Sequence, residues 1–212
     1  MTRAARFCAL LAVCVSPLVL MLVVPDAALV AGQHAAPVAY PLPYRTTSAE
    51  ASWDLELTVL NLVNQERVAM GLSPLMPHAT MRSAARAHGV EMFSFGYLSH
   101  RSRDGRLPQQ RVLERRVRVR IVGENLAYAP DVLAAHEALM ASEAHRQNIL
   151  SPDYYLIGIG VLDGGAYGVI IVQDFADGPL TLQQRFTRPV NRPTAFAPRG
   201  GPASAAGWPP AP

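Results

Sequence analysis

Apolar side chains stand at Leu57, Leu60, Val63 and Val68 with polar ones between them. That is helical spacing. Ser52 or Asp54 is placed to cap this helix, and Gly71 to end it. After a short extended link, Leu72-Ser73-Pro74-Leu75, a similar period predicts a second helix from about Ala79 to Phe95, with Met81, Ala84, Ala85, His88, Met92 and Phe95 on one face and Gly96 as its stop. Ser99–Arg106 is turn-rich and holds an Asp104-Gly105 pair. A short helix is expected from roughly Pro108 to Arg115, then a half-buried strand or extended segment over Val117–Val122, where apolar and charged residues alternate. Pro130–Met140 opens a third long helix, with proline in its first turn, Asp131 at the positive end of its dipole and His145 at its far end. Leu156–Leu162 and Gly168–Phe175 are strand-like runs joined through Asp163-Gly164-Gly165, a hairpin-type turn. Helices first and a hairpin last predict an α+β fold, with helices packed on an antiparallel sheet.

The ends follow other patterns. Met1–Arg6 carries two positive charges, Phe7–Val24 is almost wholly apolar, and Leu29-Val30-Ala31 offers a small-residue cleavage site. This is the layout of a secretory signal peptide, expected over 1–31. The alternative is an uncleaved N-terminal membrane anchor, since the run nears the roughly 18 residues a spanning helix needs; Pro17 in its middle favours cleavage. Residues 32–52 read as a linker, 53–177 as the domain, and 178–212, punctuated by Pro and Gly, as a disordered tail. No internal repeat or heptad is visible.

Composition narrows the chemistry. Cys8 and Cys14 both fall within 1–31, so a cleaved chain has no disulfide, no zinc–thiolate site and no thiol nucleophile. The net charge is +3, and all 19 basic residues are Arg. Arg111, Arg115, Arg116, Arg118 and Arg120 cluster without interleaved aromatics. They are therefore read as a solvated face, and no nucleic-acid partner is expected; attraction to an anionic cell surface stays open.

Three residues stand at predicted segment ends, where side chains are cheap to spend on function: His100, Glu124 and His145. Two imidazoles and a carboxylate meet the ligand demands of a zinc with one open position. The same trio could act as a general acid–base set. Each residue taken singly is also an ordinary hydrogen-bonded structural group. His136-Glu137 begins like a metalloprotease helix, but Met140 stands where the second His belongs. His88 and Glu91 read as a polar helix edge, and His34 and His78 lie in linker-like stretches. No Gly-x-Ser-x-Gly elbow is present.

Several short motifs carry a resemblance in their order and spacing. They are Leu60–Arg67, Gly71–Leu75, Ala84–His88 with Met92, Gly96-Tyr97-Leu98-Ser99-His100, Gly123-Glu124-Asn125-Leu126-Ala127, His145–Leu150, Ile157–Gly160 and Gln173-Asp174-Phe175. Together, from about Trp53 to Ala176, they resemble the CAP domain shared by cysteine-rich secretory proteins, antigen 5 and plant pathogenesis-related proteins, in its bacterial SCP-type form. The resemblance implies an α-β-α sandwich with a central antiparallel sheet, and a cleft lined by two His and two acids. His100 and His145 match the histidines and Glu124 matches one acid. The second acid is missing, because Ser142 takes its place and Glu143 follows one residue later.

The leading expectation is a secreted, monomeric, non-enzymatic binding module. His100, Glu124 and His145 would hold a divalent metal such as zinc, with Ser142 or Glu143 near the fourth position. Its ligand would be extracellular: a lipid, a cell-wall component or a protein. The alternative is a peptidase or esterase in which Glu124 or a histidine activates water and Ser99 assists. A third reading is structural, the polar trio tying loops to the sheet.

Overall fold

The computed structural model describes residues 39–178 together with the backbone of Leu22–Val23. The expected signal segment and tail therefore lie almost wholly outside the described residues. Ser52 opens helix α1 (Trp53–Ala69) by accepting from Leu55 N, with Asp54 and Glu56 in the first turn. Helix α2 (Ala79–Phe95) is capped by His78, whose ring accepts from Met81 N, and it ends at Gly96 in the left-handed region, φ 71°. Helix α3 (Pro108–Glu114) starts on proline, and Gln110 reaches back to accept from Leu107 N. Asp131 caps helix α4 (Val132–Ala141) by accepting from Leu133 N and Ala134 N. The chain then turns extended at Ser142, ψ 122°, before helix α5 (Glu143–Ile149) begins.

The strands are β1 (Leu22–Val23), β2 (Tyr40–Pro41), β3 (Glu50–Ala51), β4 (Met76–Pro77), β5 (Tyr97–Leu98), β6 (Val122–Ala129), β7 (Leu156–Asp163) and β8 (Val169–Ala176). The main sheet runs β1-β6-β8-β7-β3, with β4 added parallel to β7; β2 and β5 pair separately. Its centre, β6-β8-β7, is antiparallel throughout. Among the described residues, no helix is long and apolar enough to cross a membrane.

Strand alternation sorts the core onto two faces. Ile157, Ile159 and Val161 of β7 pack with Val59 and Val63 of α1, Ala135 and Leu139 of α4, and Ile149 of α5. Leu162, Leu126, Tyr128 and Val172 pack on the opposite face with Ala85, Met92 and Phe93 of α2. The chain is thus an α-β-α sandwich. Between the core strand residues on the α2 face lie Gly158 and Gly160, where a Cβ would come within 2.4 Å of Met81 and 2.6 Å of the Arg86 backbone. The Ile-Gly-Ile-Gly run is thereby explained: isoleucines fill one face while glycines let α2 lie directly on the other. Arg67, almost fully buried, ties the end of α1 to the chain entering β7. It donates to the carbonyls of Ser73, Ile149, Ser151 and Tyr154 at 2.8–3.3 Å, and burial pushes its guanidinium down to about 10.

Three expectations change. Residues 117–121 are not a strand; β6 starts at Val122 and runs through the Gly-Glu-Asn motif itself. The segment before it is held instead by Asp177, which accepts from Arg120 N and Ile121 N at 2.7 and 3.0 Å. The third long helix is broken at Ser142, so His145 belongs to a separate helix. The described part of the presumed linker is docked: β2 and β3 pair with β5 and β7, and Leu42 is buried. Two-residue strands carry no period for a pattern to reveal.

Candidate functional site

Because successive strand residues point to opposite faces, Gly123-Glu124-Asn125 serves both sides of the sheet. A Cβ on Gly123 would meet the Tyr154 hydroxyl at 2.3 Å and Asn148 Oδ1 at 3.1 Å, next to α5. Asn125 faces the same side. Its Nδ2 donates to the His145 carbonyl and to Gln173 Oε1, each at 3.1 Å, and its Oδ1 accepts from Asn148 at 2.9 Å. Glu124 points the other way, towards α2 and α3.

There its two carboxylate oxygens have separate partners. Oε1 accepts from His100 Nδ1 at 2.8 Å, so that nitrogen carries the proton. Oε2 accepts from Arg111 NH2 of α3 in a buried ion pair. Arg111 also donates to the His100 carbonyl at 2.8 Å, and to Ser102 Oγ and the Arg106 carbonyl at 3.2 Å. His88 of α2 continues the network, its Nε2 donating to the Ser99 carbonyl at 2.8 Å and its Nδ1 lying 3.3 Å from Ser102 Oγ. One carboxylate thus fixes both ends of the Ser99–Arg106 turn. Burial alone would raise the Glu124 carboxyl; the charge of Arg111, the His100 hydrogen bond and the charge of His88 outweigh it and hold it at about 2.

Across the strand pair, Asp174 of β8 sits directly opposite Glu124. It is fully buried, and neither carboxyl oxygen has a hydrogen-bond partner among the described residues. Burial first, then the charge on Glu124, push its carboxyl well above the usual range. Two facing carboxylates are both acceptors only, so a proton kept on Asp174 supplies the missing donor.

His145 is fully buried in α5, its Nδ1 2.7 Å from Ser142 Oγ. Its carbonyl meets Asn125 on the sheet face opposite Glu124. His100 and Glu124 meet directly, and the His145 backbone carbonyl is anchored to the sheet through Asn125. Glu143, expected near a fourth position, is exposed and pairs with Arg146 and Gln147 instead. Among the described residues, no group of three or more His, Cys, Asp or Glu is placed to hold a metal ion. Arg111 already neutralises Glu124, the carboxylate of the expected donor set.

Sequence reasoning missed Arg111, assigned to a solvated face, and Asp174, quoted only as part of a motif. Register decides the second: it becomes visible once β6 and β8 are aligned residue by residue.

The family model for the cysteine-rich secretory protein family (CAP) matches residues 60–175, more than half of the chain. The chain belongs to this family. It is 34% identical over 125 residues to the uncharacterized protein YkwD of Bacillus subtilis (strain 168), covering 57% of this chain and 48% of that protein. It is 36% identical over 107 residues to the uncharacterized membrane protein YlbC of the same strain, covering 50% of this chain and 31% of YlbC. The CAP chain thus spans about half or less of these relatives. Among solved structures it is similar to an extracellular SCP-domain protein from Bacillus anthracis str. Ames, at 26% identity and a TM-score of 0.53, covering 58% of this chain and 40% of that one. An outer surface protein from Borrelia burgdorferi shares the fold at 17% identity and a TM-score of 0.56, covering 62% of this chain and 99% of that one.

Proposed function

We propose that this CAP chain is a non-enzymatic binding module acting outside the cytoplasm. In this reading the His100–Glu124–Arg111 cluster braces the recognition surface and binds no metal. The observation that carries it is the full engagement of Glu124, one oxygen on Arg111 and the other on His100. A carboxylate so held is a poor base and a poor metal ligand, since either role must first break a buried ion pair. The location is supported by the description of one structural relative as extracellular and by the apolar N-terminal segment. Zinc titration calorimetry on the wild type and on a His100→Ala/His145→Ala variant tests the metal-free site; negligible heat from both is expected. A strong heat confined to the wild type would overturn it.

One observation favours a second reading, a hydrolase. Glu124 and Asp174 are pushed to opposite ends of the carboxyl range, as acid–base pairs often are. A screen of fluorogenic peptides and esters against wild type and Glu124→Gln decides between the two. The module reading expects no turnover above the variant; turnover lost with Glu124 would replace it.

A further inference from the structure

Beside the His100–Glu124 pair, at the end of α2, lies an open depression of about 480 Å³. Arg45, Phe95, Tyr97, Ser99, Arg101 and Arg103 line it. Its three guanidinium groups come from two separate segments, and each is held in place. The stem of Arg45 lies across Gly96, where a Cβ would come within 2.5 Å of Arg45 Cγ. Arg103 stacks on Phe95, 3.7 Å from the ring centroid. Arg101 donates to the Gly105 carbonyl at 2.6 Å, while its buried Nε has no acceptor among the described residues.

These three, gathered in one depression, lack carboxylate partners, as do Arg67, Arg82, Arg115, Arg116 and Arg118 elsewhere among the described residues. Arg86, Arg106, Arg111, Arg120 and Arg146 all pair with carboxylates. The nearby acids are already engaged. Glu91 accepts from Tyr97 OH and Arg103 N and faces His88, and Asp104 is paired with Arg106. The depression therefore carries a net positive charge on preorganised side chains, three guanidinium groups against the one Glu91 carboxylate, a state that repels itself when empty and gains when an anion enters. Arginine forks suit tetrahedral oxyanions, and approach from two segments suits a group with oxygens in several directions better than a flat carboxylate.

We propose that this depression binds a phosphate-bearing ligand, the guanidinium groups of Arg45, Arg101 and Arg103 taking the phosphate oxygens and Phe95 and Tyr97 packing on the carbon part of the ester. The inference deepens the module reading and rests on it for the surface's purpose, but its test reads binding alone. Hydrolytic turnover would therefore overturn that reading without touching this one.

Inorganic phosphate is titrated into the folded protein by calorimetry. In parallel, the protein is sedimented with vesicles of phosphatidylglycerol in phosphatidylcholine or of phosphatidylcholine alone. Arg45→Gln/Arg103→Gln, both positions exposed, should bind about tenfold more weakly or worse at an unchanged melting temperature. Added salt should weaken wild-type binding. Phosphate heat without sedimentation identifies a soluble phosphate ester; sedimentation that needs phosphatidylglycerol and is lost in the variant identifies a lipid headgroup. Should the variant fail to fold, phosphate-induced amide shifts in the wild type must centre on Arg45 and on Arg101–Arg103. Shifts centred elsewhere, no wild-type binding in either arm, or equal binding by a folded variant would overturn the proposal.

Discussion

Replacing Arg111 by methionine is the sharpest test of how the His100–Glu124 region is held. Methionine keeps most of the side-chain length and removes the charge and every donor. Glu124 would lose its buried ion pair, and the carbonyls of His100 and Arg106 and the hydroxyl of Ser102 would lose theirs. Removing one partner of a buried ion pair costs about 3–5 kcal/mol, because the remaining charge is left uncompensated. The depressed Glu124 carboxyl points the same way. Glu124 is held at about 2 against an ordinary 4.5, a displacement worth about 3 kcal/mol. The sign follows from linkage: a depressed carboxyl contributes its stability above about pH 4.5 and loses it as pH falls towards 2. Arg111→Met should therefore melt on the order of 10–20 °C lower at pH 7, and should lack most of the wild-type loss between pH 4.5 and 2. Adding Glu124→Gln to Arg111→Met should recover a substantial part of the deficit, since no buried charge then remains. Urea and thermal melts on the four proteins of this cycle supply the numbers. A loss below about 1 kcal/mol for Arg111→Met, with an unchanged acid profile, would refute the reasoning.

Two further outcomes follow from the same packing. Asp174→Asn should be more stable than wild type at pH 7, because the amide can donate to Glu124 and needs no buried proton. The raised Asp174 carboxyl costs nothing below its ordinary 3.8 and costs more as pH rises, so the gain should vanish at pH 3; an equal effect at both pH values in urea melts would count against it. Gly158→Ala should destabilise by about 1–3 kcal/mol or more, since the new methyl meets the Met81 backbone at 2.4 Å, and a melting temperature within a degree of wild type would contradict the packing.

Much of this was legible in the chain. The bounds of α2 were set by a helical period ending at Gly96, whose positive φ a glycine satisfies at little cost. Capping by Ser52 and Asp131 followed from residue type and position. The helix break at Ser142 was not legible, because Ala141-Ser142-Glu143 carries no proline or glycine. Tertiary docking of α5 on the sheet, through Asn125 and the Arg67 carbonyl contacts, decides it. The candidate site was half legible. His100 and Glu124 meet as their motifs suggested, whereas the spacing of Arg111 and Asp174 carried no sign that they would join that carboxylate.

Local pattern, then, determined the main helices, the closing hairpin and an α+β class, because period and capping are properties of neighbouring residues; the α-β-α sandwich was implied by the resemblance. Only the tertiary structure decided which polar residues act together. Strand alternation sends Glu124 to α3 and Asn125 to α5, and register sets Asp174 against Glu124. Both are relations between residues far apart in the chain, so no local spacing encodes them. The same physics turned Arg111 from a presumed surface charge into the buried partner of Glu124.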